Sequence, residues 1–216
     1  MERRLDVRLY AYALLLSLVV FGSGIYVGYL LDSWNLHGIS DEVSNISARV
    51  ASVQLLLISE GNSSQCPLYR GELDSIDADV EKIGHKLSFL EEEKYVFDDE
   101  LKRKYFILEA ESYLLSKRVR DLCGDDSVLL IHFYSNRACD DCREQGTEIL
   151  QMRDTLKSEG IDVKLFSFDG ELDSPVAEAL EAQYGIASYP SIVINERTYP
   201  GFMDREELAS AIRSRQ

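Results

Sequence analysis

Apolar and polar positions along this chain change their rhythm twice. From Leu9 to Leu31 there is no charged residue. About 20 helical residues cross the hydrocarbon core of a bilayer, so this run predicts a transmembrane helix over 9–31. Next, Ile39, Val43, Ile46, Val50, Val53 and Leu57 recur at alternating four and three. That is a heptad seam on a helix, opening after Gly38 with the polar, acidic turn Ser40-Asp41-Glu42. Gly61-Asn62-Ser63-Ser64 and then Pro67 interrupt it. A second seam follows in Leu73, Ile76, Val80, Ile83, Leu87 and Leu90. Strict register then puts Lys94 and Lys104 inside, whereas a shifted one recovers Leu101, Tyr105, Leu108, Leu115, Val119 and Leu122. The slip has two readings: a stutter in one helix of roughly 75 Å, or a reversal near Glu91–Asp99 that makes a three-helix unit. No Gly or Pro marks a turn there, which favours the long helix, but periodicity does not decide. Either way, 38–123 reads as a helical, coiled-coil stalk.

From Ser127 the pattern turns to short apolar runs alternating with helical ones. Val128 to Tyr134 reads as a buried strand, Cys142 to Leu156 as a helix with Ile149, Met152 and Leu156 on one face, and Val163 to Phe168 as a second strand. Pro175 to Tyr184 is a helix with proline at its start and Gly185 at its end. Ser191 to Asn195 and Thr198 to Pro200 form a hairpin around Glu196-Arg197, and Arg205 to Ser214 closes the chain as a helix. This is an α/β order over 125–216.

Charge narrows the function classes. A net charge of −15 and a pI near 4.6 argue against nucleic acid, whose phosphates need a basic surface. The acidity reads as a solvated surface. Arg3, Arg4 and Arg8 precede the apolar run, and Asp32, Asp41 and Glu42 follow it. The expected topology is therefore single-pass, with 1–8 cytoplasmic and everything after Asp32 extracytoplasmic. A cleavable signal peptide is the competing reading, but its apolar stretch is usually shorter, about 7–15 residues. Tyr10, Tyr12, Tyr26, Tyr29 and Trp34 sit where interfacial aromatics do. Gly24 and Gly28 form a small-xxx-small pair, a homodimer contact for such a helix, and the stalk seam is a second. Asn45-Ile46-Ser47 and Asn62-Ser63-Ser64 fit the glycosylation sequon, the first lying on a helix seam.

Four cysteines complete the picture, and only Cys139-Asp140-Asp141-Cys142 has a telling spacing. It stands at the first strand-to-helix turn. With Tyr184-Gly185-Ile186, the Tyr189-Pro190 step before an apolar strand, and Gly201 before the last helix, it resembles the thioredoxin superfamily over about 125–216. The resemblance implies a thioredoxin fold and a thiol–disulfide oxidoreductase acting on protein thiols and disulfides without a cofactor; the expected anchor makes a membrane-embedded redox partner the natural candidate. Cys139 resembles the attacking cysteine and Cys142 the resolving one. Pro190 resembles the cis-proline facing the pair, which presents the Tyr189 backbone to substrate. The family's first strand and helix are not evident here; the stalk's end, up to Leu122, is the candidate for that helix.

The chemistry explains the pattern. Only a thiolate attacks a disulfide, and a helix N-terminus stabilises one. Two intervening residues put the partner one turn inward. The family's reducing members carry Gly-Pro between the cysteines and its oxidising ones Pro-His; here both residues are acids. Asp140 and Asp141 repel a Cys139 thiolate, with Arg137 and Arg143 in partial compensation, which predicts a couple more reducing than the oxidising members. If one residue is inserted before Cys139, His132 falls where reducing members keep a buried proton-relaying acid; otherwise it is a strand histidine with a satisfied hydrogen bond. Cys66 and Cys123 are candidates for a structural disulfide, which requires the reversal near Glu91–Asp99. Zinc wants four ligands, and one Cys-x-x-Cys with His37, His85 and His132 leaves the set incomplete, so no metal is expected. The alternative function is a non-catalytic binding platform or tether on a thioredoxin-like fold.

Overall fold

The computed structural model describes residues 7–60 and 63–214, with side chains for 10–26, 38–58, 64–91 and 93–214. The chain divides into two units, Met1–Glu42 and Val43–Gln216. Helix α1 (Val7–Glu60) contributes to both, and continues through Gly38, where the sequence pattern opens a new helix.

In the first unit the side chains from Tyr10 to Tyr26 are exposed. Among the described residues no helix is long and apolar enough to cross a membrane. This corrects the expected transmembrane helix over 9–31 and, with it, the single-pass topology and extracytoplasmic placement. Arg3, Arg4, Arg8, Gly28, Tyr29 and Trp34 lie outside the residues whose side chains are described, as does Asn62 of the second sequon.

The second unit begins with the rest of α1, whose Val43, Ile46, Val50, Val53 and Leu57 are buried. A short turn of 3-10 helix leads to α2 (Cys66–Glu92), and α3 (Asp99–Cys123) follows. The chain thus reverses between Glu92 and Asp99. Capping starts α3 without glycine or proline: Asp98 is extended and its carboxylate accepts from the Leu101 N–H. Tyr95, at φ +54°, supplies the turn geometry. Gly124, left-handed at φ +60°, ends α3.

These helices are not a coiled-coil stalk, a second correction. Leu73, Ile76, Val80, Ile83 and Leu87 of α2 are buried, and polar side chains beside that seam reach three neighbours. Arg49 of α1 pairs with Asp79 at 2.7 Å, Ser112 of α3 donates to Asp77 at 2.9 Å, and Arg153 beyond the helices pairs with Glu81 at 2.9 Å. A seam surrounded on several sides packs as a core layer; a two-stranded coil needs only one stripe.

The remaining elements are β1 (Val128–Tyr134), α4 (Asp140–Ser158), β2 (Val163–Asp169), α5 (Pro175–Tyr184), β3 (Ser191–Ile194), β4 (Arg197–Pro200) and α6 (Arg205–Arg213). The sheet order is β2-β1-β3-β4, with β1 and β2 parallel and the other pairs antiparallel. Asn195 and Glu196, at φ +45° and +72°, make the two-residue turn of the β3–β4 hairpin, one position earlier than the apolar pattern suggests.

Alternation along the strands builds two apolar layers. Val128, Leu130, Val163, Ile192 and Ile194 pack with Ile149, Met152 and Leu156 of α4 and Leu208 and Ile212 of α6. On the opposite face Phe168 meets Phe133 and Phe106, and Phe166 meets Tyr113. Phe106 and Tyr113 belong to α3, so the helical segment and the sheet share a core.

β2 is an edge strand, and a bare edge is a liability. Here α2 and α3 cover it. Lys164 reaches Asp77 at 2.6 Å, and the Ser167 N–H donates to the Glu109 carboxyl at 3.0 Å. The other Glu109 oxygen accepts from the Tyr105 hydroxyl at 2.7 Å. Glu109 is only 4% exposed, and burial pushes its pKa up to about 8 against the opposing pull of those two bonds.

Candidate redox site

β1 and its register place the site. The strand ends at Tyr134, and the loop 135–138 carries the chain to Cys139 at the start of α4. Ala138 is left-handed at φ +49°, a conformation that costs a residue with a Cβ about 1 kcal/mol. It turns the backbone so that Cys139 becomes the N-cap of α4. The Cys142 N–H donates to Cys139 Sγ at 3.2 Å, satisfying a donor that the helix start leaves open.

Cys139 and Cys142 are joined in a disulfide. Their surroundings differ. Cys142 is 4% exposed, and its sulfur faces the Ser135 N–H at 3.4 Å. Cys139 is partly exposed. An entering sulfur therefore reaches Cys139 more readily than Cys142.

Phe133 pairs with Ser191 and His132 with Ile192, which sets Pro190 beside the end of β1. The Tyr189–Pro190 peptide is cis, and the Pro190 carbonyl accepts from the Gly201 N–H at 2.9 Å. The Tyr189 hydroxyl donates to Glu181 of α5 at 2.5 Å. Gly170 lies against both, and a Cβ there would collide with the Tyr189 ring.

The other sequence candidates fall as follows. Asp140 and Asp141 are exposed, and Asp140 meets Arg143 at 3.4 Å across open solvent. Arg137 turns instead to Glu171, at 3.4 Å. His132 is buried, on the sheet face shared with Leu130 and covered by α4. Burial pushes its pKa down to about 4, and its Nε2 has no hydrogen-bond partner among the described residues. Cys66 and Cys123 form a second disulfide, joining the start of α2 to the end of α3. The Cys123 carbonyl accepts from Arg70 at 2.6 Å. Among the described residues no cluster of metal-ligating side chains occurs.

Sequence reasoning missed several residues that hold the site. Gln145, fully buried one turn into α4, grips the Met203 backbone through both ends of its amide, at 2.7 and 2.9 Å. Asp169 accepts from Asn136 at 3.0 Å and from the Glu171 N–H at 3.1 Å. Lys102 stands between Asp169 and Glu91, at 3.4 and 3.0 Å. A polar residue at the end of a strand or in a charged helical stretch carries no spacing that marks it beforehand.

A parallel β-α-β step with a cysteine pair at the first helix start, followed by a cis-proline leading into an antiparallel hairpin and a last helix, defines a thioredoxin-like domain. No family model and no curated protein matches the sequence. Among solved structures, it is similar to chloroplastic thioredoxin z at 19% identity, covering 42% of this chain and 80% of that one, with a TM-score of 0.34. The first thioredoxin domain of mouse protein disulfide-isomerase A4 shares 20% identity over 45% of this chain and 69% of its own, with a TM-score of 0.33. The germline-specific thioredoxin Deadhead from Drosophila melanogaster shares 20% over 47% and 90%, with a TM-score of 0.34. All three are thioredoxin-type domains.

Proposed function

We propose that the protein is a thiol–disulfide oxidoreductase working through Cys139 and Cys142, on protein thiols and disulfides. The observation that carries this reading is the asymmetric disulfide at the start of α4: one cysteine partly exposed, with its sulfur facing an N–H of the first helical turn, the other buried. A helix N-terminus stabilises the thiolate, which is the attacking species.

In the reducing direction, the Cys139 thiolate attacks one sulfur of a substrate disulfide. A mixed disulfide forms and the other substrate sulfur leaves as a thiolate. Cys142, deprotonated, then attacks Cys139 Sγ, so the internal disulfide forms and the second substrate sulfur leaves. The substrate gains two electrons and the cysteine pair loses two. Run backwards, the same steps oxidise a dithiol. His132 offers a neutral, unpaired nitrogen on the α4 face for the Cys142 proton. The cis-proline turn, beside the end of β1, offers its backbone to an extended substrate segment.

The test is exchange by the reduced full chain with a chromogenic disulfide and a disulfide-bonded peptide. Turnover that vanishes in Cys139→Ser supports the reading. A wild-type chain that leaves both substrates intact would mean a binding platform that keeps its cysteines without using them.

A further inference from the structure

The helical segment does more than cover the sheet edge. Lys102, in the first turn of α3, is 7% exposed, and Asp169 at the end of β2 is 6% exposed. The Lys102 ammonium bridges Asp169 and Glu91, the latter from the last turn of α2. It also lies over the Tyr134 ring, 5.8 Å from its centre. The same Asp169 oxygen that meets Lys102 accepts from Asn136, in the loop that delivers Cys139. A second connection runs alongside. Arg103 donates to the Asp173 carbonyl at 2.7 Å, and Glu171 of that segment pairs with Arg137. The start of α3 therefore holds residues 169–173, and these hold the cysteine loop at two points.

A buried cation between two carboxylates is costly unless all three stay in place. So arranged, it fixes Asp169 and, through it, Asn136. We propose that Lys102 is a positioning residue for the redox pair, setting the 135–138 loop so that Cys139 meets the N-terminus of α4. The proposal rests on the exchange function above. It also gives a direction. Removing the cation loosens the loop and leaves Asp169, which holds Asn136 of that loop, an uncompensated carboxylate, and both effects disfavour a Cys139 thiolate. The disulfide form gains relative to the dithiol.

The experiment uses the full-length chain with Lys102→Met and Asn136→Ala. Asn136 is exposed, so its replacement leaves the fold intact even if the buried site does not tolerate methionine. Each variant is equilibrated with glutathione, and the Cys139–Cys142 equilibrium constant is read by thiol trapping. Exchange with the chromogenic disulfide and thermal unfolding are followed in parallel. The expected result is a shift toward the disulfide and slower exchange, on the order of tenfold for Lys102→Met and threefold for Asn136→Ala, a tenfold change being one pKa unit of thiolate. Asn136→Ala should unfold at the wild-type temperature. An unchanged equilibrium and rate in Asn136→Ala, or in folded Lys102→Met, overturns the proposal. Absence of exchange in the wild-type chain would instead refute the functional reading.

Discussion

The molecule holds two disulfides at opposite ends of β1, a strand of seven residues and so about 23 Å of chain. Their backbones are spaced alike, with Cα–Cα distances of 5.6 Å for Cys66–Cys123 and 5.3 Å for Cys139–Cys142. Both pairs even include a cysteine at a helix start. The differences lie around the sulfurs. At α2 the helix-start cysteine, Cys66, is 7% exposed, and its partly exposed partner Cys123 ends a helix, where the dipole opposes a thiolate. At α4 the helix-start cysteine is the partly exposed one and its partner is buried. The first bond closes a separation of 57 residues and the second only three. In the chain-entropy view the long closure stabilises the fold by about 4 kcal/mol, and the short one by less than half of that. Each pair has one buried and one partly exposed cysteine; under the proposed function, the end of the helix that carries the exposed one, together with loop length, makes one bond a brace and the other the reactive group.

The sharpest way to break this contrast is to remove single sulfurs. Cys139→Ser should abolish exchange, while Cys142→Ser should accumulate substrate as a mixed disulfide on Cys139, seen by non-reducing electrophoresis and mass mapping. Trapping by Cys139→Ser would reverse the roles. At the other pole, Cys66→Ala with Cys123→Ala should lower unfolding free energy in urea by about 4 kcal/mol and leave exchange per folded molecule unchanged. A loss of exchange larger than the loss of fold would make the brace part of the chemistry.

The bracing half also carries a pH signature. Glu109 has a folded pKa of about 8, against about 4.3 for an unfolded glutamate. Its proton is held more tightly in the folded state, so its contribution is fully present below the unfolded value. It declines as pH rises through the window up to about 8, by a few kcal/mol in all. Glu109→Gln keeps an acceptor for Tyr105 and should flatten that decline in chemical-denaturation curves between pH 5 and 8. An equal slope in the variant would place the titration elsewhere. The smallest effect belongs to Asp140→Asn with Asp141→Asn. These acids are exposed and solvent-screened, so the pair should become more oxidising, by about threefold or less in its glutathione equilibrium.

Legibility in the sequence followed the physics of each part. The strand into Cys139, the helix Pro175–Tyr184 and the hairpin were readable because short apolar runs, an initial proline and terminal glycines are local signals. Continuity across Gly38 was not, since a helix tolerates an isolated glycine. The turn near Glu93–Asp98 was obscured because a capping aspartate and a left-handed tyrosine do the work usually marked by Gly or Pro. The seam of α2 looked like a coiled-coil stripe because periodicity records that a face is buried, not what buries it. Of the site, the cysteine pair and the proline stood out by spacing. Gln145, Asn136, Asp169 and Lys102 did not, since their partners lie far away in the chain and only the fold brings them together.

A native-state redox titration tests the contrast most directly. The folded full-length chain is equilibrated across a series of glutathione ratios without denaturant, thiols are trapped, and each cysteine is located by peptide mass mapping. The account predicts that Cys139 and Cys142 open and close reversibly together while Cys66–Cys123 stays joined until the protein unfolds. Opening of Cys66–Cys123 first, or of both pairs in step, would contradict it.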